Sequence, residues 1–237
     1  MIYRDMSKEE FESIASRILY EDNHILIINK RVGEIVQGDK TGDEPLSETL
    51  KVFIAHRDNK PGQVFMGVPH RLDRPVSGIA MFAKTSKALE RMNEAFRVGT
   101  VTKKYWALVC AKPAAQKGEL TDMLLRNERQ NKSYAYPVGA KSPAGSKEAR
   151  LRYELIRSFD RYYLLEVELL TGRHHQIRCQ LANMGCIIKG DLKYGAARSN
   201  RDGGINLHAR SITFVHPTRK ELITVVAPIE WPPFVEE

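Results

Sequence analysis

The chain has 237 residues, 42% of them apolar and 28% charged, with a formal net charge of +8. That length suits one large domain or two small ones, and that apolar fraction supports a real core. No run of eighteen apolar residues occurs, which excludes a transmembrane helix, and the N-terminal stretch "MIYRDMSKEEFESIASR" is too charged for a secretory signal, so the cytoplasm is the expected compartment.

Residues 1–118 hold 19 Lys/Arg against 15 Asp/Glu and residues 119–237 hold 18 against 14, so each half carries +4. The excess is spread rather than held in a tail. RNA or DNA becomes a plausible partner, and folding must assemble any basic patch. Cys110, Cys179 and Cys186 match neither a metal knuckle nor a CxxC pair and are expected to be buried, reduced thiols.

Ser7 and Glu10 have capping-box spacing, and Phe11, Ile14, Ala15, Ile18 and Leu19 follow at helical intervals. The expectation is therefore an N-terminal helical extension within residues 1–23, with the first strand at "HILIINK" (24–30). "PLSETLKVFIAH" (45–56) predicts a helix with Leu46, Leu50, Phe53 and Ile54 on one face, and "GIAMFAK" (78–84) a strand. Ser86 is expected to cap a helix that runs to about Arg97 and ends at Gly99, and "TKKYWALVCAK" (102–112) predicts another strand. Residues 113–149, rich in Pro, Gly, Ser and Lys, read as strands with long loops.

"ARLRYELI" alternates at Leu151, Tyr153 and Leu155, and "YYLLEVELL" (162–170) at Tyr163, Leu165, Val167 and Leu169. After Thr171 and Gly172 the period changes, and Ile177, Leu181 and Met184 fit a helix closed by Gly185. "NLHARSITFVHPTRKELITVVAP" (206–228) predicts two strands around a turn at 216–220. Many strands with few helices indicate an α+β fold with a largely antiparallel sheet.

The stretch "PHRLDRPVSG" (69–78) sets one carboxylate, Asp73, among His70, Arg71 and Arg74, between Pro69 and Pro75. An isolated surface Asp would do no more than pair weakly with a neighbouring Arg. Here the prolines stiffen the loop, the loop enters a strand, and Arg forks suit phosphate oxygens. In "TGRHHQIRCQLANMG" (171–185), a helix would place His174 and Arg178 one turn apart on one face. Adjacent His174 and His175 are a poor metal pair, because no Cys or carboxylate stands at a ligand spacing. In "TKKYWALV", alternation puts Tyr105 and Trp106 on opposite faces; one is core and the other is free to be a base-stacking platform.

Together these segments resemble the RluA family of RNA pseudouridine synthases. "HRLDRPVSG", "KKYWALV", "GRHHQIRCQL", "GDLKYG" (190–195) and "LHARSITFVHP" match that family's blocks in order. The resemblance implies a single catalytic domain over 1–237. Its sheet is mixed and mostly antiparallel, bisected by a cleft and flanked by helices and loops. It implies isomerisation of uridine to pseudouridine in RNA without metal, nucleotide or redox cofactor. It implies Asp73 as nucleophile, Arg178 as the cation paired with it, and Tyr105 stacking on the uracil or helping to move its C5 proton. Arg71 would fill the helix where the base has left, and Arg74 and His174 complete the RNA-binding set. Val76 and His174 depart from the family, which commonly has Thr at the first position and Thr or Ser at the second.

The chemistry fits these groups. A carboxylate can add covalently to sugar or base, and a synthase that keeps its base has less need of a second acid than a glycosidase. A cation within ~4–6 Å lowers a carboxyl pKa by ~1–3 units. Tyrosine, with an ordinary pKa of ~10, is a better platform than base. The base must flip out of its stack, at a few kcal/mol. Asp191 is a further carboxylate of the same blocks and reads as structural. The rival readings are a hydrolytic glycosylase and a non-catalytic RNA-binding module or RNA chaperone. The 23 residues before the expected first strand are too few for the separate N-terminal RNA-binding domain that some relatives carry, so the catalytic domain would read its RNA alone. Ribosomal RNA, transfer RNA or both would serve as substrate. No membrane or obligate protein partner is implied, and a monomer is the default.

Overall fold

Ser7 caps helix α1 (Lys8–Ala15), its hydroxyl accepting the Glu10 N–H at 3.1 Å. The helix stops two turns in, and Ile18 and Leu19 belong instead to strand β1 (Ile18–Glu21). The expected helical extension over 1–23 is thus a helix followed by a strand. Helical spacing placed Ile18 correctly as apolar but could not show that β2 (Ile25–Lys30) offers it a ladder, with Ile18 opposite Ile28. Tertiary pairing overrides a weak local preference. The Arg17 guanidinium fixes the switch by bonding the Asn29 carbonyl and both Glu34 oxygens.

The computed structural model describes residues 3–39, 41–139 and 141–231. By packing, the chain divides into two units: Met1–Val101 with Ser211–Ile229, and Thr102–Arg210 with Glu230–Glu237. No helix among the described residues is long and apolar enough to cross a membrane.

In the first unit β2 lies between β1 and β3 (Ser77–Ala83), all antiparallel, with Ile25 opposite Ala83 and Lys30 opposite Gly78. All six residues of β2 are buried, which explains the unbroken apolar run Ile25–Ile28, and Asn29 and Lys30 complete the strand as buried polar residues. Helix α2 (Leu46–Arg57) sends Leu46, Leu50, Phe53 and Ile54 into a core with Leu26, Ile28, Ala80 and Phe82. Helix α3 (Ser86–Val98) packs on β3; Thr85 caps it, one residue before the expected start, and Gly99 closes it at φ 77°. Strands β9 (Leu207–Val215) and β10 (Leu222–Val226) form the expected hairpin, Leu222 opposite Val215. Its turn is tied to β1 and β2: buried His216 bonds Asp22 at 2.7 Å through Nε2 and accepts the Thr218 and Arg219 N–H groups at Nδ1.

In the second unit the strand order is β4 (Thr102–Val109), β8 (Tyr163–Leu169), β7 (Lys147–Ser158), β5 (Lys117–Asn127), β6 (Lys132–Tyr136), each pair antiparallel. Residues 113–149 hold strands as expected: the long β5 turns tightly at 128–131, with Asn131 at φ 46°, into β6, which ends at Tyr136, and the long connection comes before β7 begins at Lys147. Helix α4 (Gln176–Asn183) packs Cys179 with Leu124, Ala149 and Tyr194, and Gln180 joins it to the sheet through Asp122 and the Ala149 carbonyl. Cys179 and Cys186 are buried as expected, whereas Cys110 is exposed at the end of β4. The fold is α+β with a mostly antiparallel open sheet and few helices.

Truncating Leu50, which is wholly buried, to Ala is expected to cost about 2–5 kcal/mol in urea unfolding. Removing the exposed Lys8–Glu12 pair with Lys8→Ala should change stability by less than about 0.5 kcal/mol.

Candidate active-site elements

The Asp73 loop is positioned at both ends. His70 accepts the Met81 N–H at Nε2 (3.0 Å) and stacks on Phe96 with centroids 5.0 Å apart. With Nε2 accepting, the ring is neutral and carries its proton on Nδ1, so His70 is an anchor here rather than one of the cations around the acid. Leu72 packs against the core of the first unit, leaving Arg71 exposed and Asp73 half-buried. The Val76 N–H donates to the Asp73 carbonyl at 3.0 Å, closing a turn over Arg74 and Pro75. Arg74 donates to Asp43 and Thr41 at 2.7 Å each, with Asp39 at 3.6 Å.

Beneath this loop is Lys30, 1% exposed. Its ammonium donates to the carbonyls of Arg31 and Glu34 at 2.8 Å and of Arg74 at 3.3 Å. The Arg74 carbonyl also accepts the N–H of Gly33, whose φ of 88° turns the chain toward it. Burial pushes the Lys30 amine down from its ordinary 10.5 to about 8, against the pull of the Glu34 and Asp73 charges. Sequence reasoning missed this residue. The available signal was a lysine ending a run in which every other position reads as buried strand.

In β4, Tyr105 is 7% exposed and stands opposite Val167 of β8. Trp106 lies on the other face, half-buried, with the Arg210 guanidinium 4.4 Å from its ring centroid. The structure thus resolves which aromatic is on the buried side.

Arg178 lies on α4, but the helix begins at Gln176, and His175 precedes it as a left-handed residue at φ 52°. His174 is therefore outside the helix, and the expected one-turn spacing with Arg178 does not exist. The positive φ of His175 breaks the helical path that the apolar spacing suggested. The His174 ring lies between Asn131 Oδ1 (3.1 Å) and Ser133 Oγ (2.9 Å) and stacks on His175 with centroids 3.8 Å apart. Burial, reinforced by the Arg178 charge, drives the His175 pKa down to about 2, so that ring stays neutral.

Arg178 is 5% exposed, and Asp191 1%. Its Nε and Nη2 donate to the two Asp191 oxygens at 2.7 and 2.8 Å. The Tyr194 ring lies under the guanidinium, 5.2 Å from Cζ to centroid. The Tyr194 hydroxyl accepts the Ser133 N–H at 2.9 Å, and burial raises its pKa above the ordinary value. Asp191 and Tyr194 are partners of Arg178 that spacing could not connect to it. They belong to the "GDLKYG" block, thirteen and sixteen residues further along the chain.

A family profile described as RNA pseudouridylate synthase matches residues 24–183. The ribosomal large subunit pseudouridine synthase C of Vibrio cholerae is 34% identical over 219 residues, covering 90% of this chain and 65% of that protein. An uncharacterized RNA pseudouridine synthase of Bacillus subtilis is 31% identical, covering 96% of this chain and 74% of its own. The chain thus spans just under two thirds of the length of the Vibrio relative. Among solved structures, human RNA pseudouridylate synthase domain containing 4 superposes with a TM-score of 0.79 at 22% identity, over 92% of this chain and 90% of that one, a likeness of fold.

The Lys30 titration has a stability signature. Between pH 8 and 10.5 the unfolded chain binds the proton that the folded chain has released, so this term makes stability rise with pH over that window. Urea unfolding across it should show wild type gaining on Lys30→Met as pH rises; a difference that stays flat would contradict the depressed titration.

Proposed function

Because this chain belongs to the RNA pseudouridylate synthase family, we propose that it isomerises uridine to pseudouridine within structured RNA, ribosomal or transfer. The observation that carries the proposal is the Asp73 carboxylate, half-buried on a loop locked by His70, Leu72 and Lys30. A nucleophile that must meet a flipped nucleotide needs such a fixed approach. The printed name of the Vibrio relative makes large-subunit ribosomal RNA the first substrate to test.

In this reading Asp73 adds covalently to the ribose or the uracil as the N1–C1′ bond breaks. The base turns, C5–C1′ forms, C5 loses its proton and N1 gains one, and the carboxylate is returned with no change of mass. Arg178 is the companion cation of that carboxylate, and Tyr105, although the more buried of the two β4 aromatics, is the platform that the family resemblance assigns beneath the uracil. Arg71, exposed at the loop's edge, fills the space left by the base. Arg74 and His174 complete the RNA-contacting set, each exchanging present protein partners for RNA oxygens. The protein would act as a monomeric single catalytic domain in the cytoplasm, without a cofactor.

Asp73→Asn should abolish pseudouridine formation on a large-subunit RNA transcript while RNA affinity stays within about tenfold, since phosphate contacts dominate affinity. Near-wild-type turnover would remove Asp73 from the mechanism, and release of free uracil would make the protein a glycosylase. Arg71→Ala should raise KM or lower kcat on structured RNA without moving the melting temperature; unchanged kinetics would remove Arg71 from the site.

A further inference from the structure

We propose that Asp191 is the positioning residue that aims Arg178, an inference that rests on Arg178 acting in the reaction. A guanidinium on a flexible stem can rotate about its last bonds, and a cation that tilts by an ångström loses its hold on the reacting group. Here the rotation is removed. Asp191 takes the Nε and Nη2 edge through two short bonds, and the Tyr194 ring lies against the guanidinium. The pair with Asp191 therefore leaves the two N–H groups of Nη1 outside it, aimed in one fixed direction.

The loop carrying Asp191 is itself over-determined. The Asp191 carbonyl accepts the N–H groups of Tyr194 and Ala196 at 3.1 and 3.0 Å, and its own N–H donates to the Ile188 carbonyl at 3.1 Å. Gly190 precedes it at φ 88°, where a Cβ would lie 2.8 Å from Asn200 and 2.9 Å from the Gly204 carbonyl. Neither a side chain nor a slack backbone is admitted at that step.

Stability does not explain the arrangement. A buried ion pair costs about as much in desolvation as it returns, and apolar replacements of the same volume are often neutral or better. What the pair supplies is orientation, and the neutral His175 ring leaves the guanidinium without a second positive charge from that ring to repel it.

The test compares Asp191→Ala, the near-isosteric Asp191→Asn, Arg178→Ala, and the Arg178→Ala/Asp191→Ala double variant, each with a melting curve. The readout is single-turnover and steady-state kinetics on the large-subunit RNA transcript. Asp191→Ala should lower kcat about 100-fold with KM within about threefold, the scale expected of a misplaced catalytic group. Asp191→Asn, which keeps one acceptor oxygen, should fall between it and wild type. The double variant should be no slower than Arg178→Ala, because Asp191 acts only through Arg178.

Losses that multiply in the double variant would overturn the proposal. So would a kcat within threefold of wild type in Asp191→Ala, or an activity loss that merely tracks the unfolded fraction. Full activity in Arg178→Ala would instead sink the role of Arg178, and with it the premise.

Discussion

A buried ammonium sets the geometry of the loop that carries Asp73. Lys30 ends a strand between Asn29 and Arg31, and it is almost fully excluded from water. Removing an ammonium from water costs several kcal/mol, and three charge-assisted bonds to carbonyls return about 1.5–3 kcal/mol each. Those terms nearly cancel, which agrees with an amine whose pKa has fallen but only to about 8. The lysine's worth is therefore positional: one atom bonds carbonyls at 31, 34 and 74, tying the end of β2 to the residue after Asp73.

The second unit solves a similar problem with a second buried cation. Arg178 is held by a carboxylate rather than by carbonyls, and by an aromatic ring rather than a turn. The Tyr194 hydroxyl continues inward to the Ser133 backbone, and Lys193 bonds the carbonyls of Gln130 and Asn131, so the β5–β6 turn and α4 share one polar network. In both units the charged side chain is fixed by a loop that glycine allows to bend: Gly33 in the first and Gly190 in the second.

Much of this was legible in the sequence. The apolar run Ile25–Ile28 of β2, the one-sided α2, the Gly99 stop and the alternating β7 each follow from a period that burial imposes. Ile18 failed because an apolar residue at a helical interval also fits a strand, and only the presence of β2 decides. His174 failed because the left-handed turn at His175 carries no glycine to announce it. Lys30 stayed hidden, and Asp191 was visible only as a structural carboxylate of its block, for a different reason: what holds them is a set of backbone carbonyls in one case and a residue thirteen positions away in the other, and no local pattern encodes either. The motif blocks identified the family correctly, yet they named residues, not what holds them.

The account turns on a covalent role for the Asp73 carboxylate. The direct test uses RNA bearing 5-fluorouridine at the target position, where the C5 proton that the reaction must remove is replaced by fluorine. An adduct at the uracil ring should then persist, and peptide mass spectrometry should place it on Asp73, whereas an adduct at C1′ is resolved as C5–C1′ forms and leaves a fluorinated C-nucleoside; Asp73→Asn should give neither. An adduct on another side chain, or one formed equally by Asp73→Asn, would contradict the account.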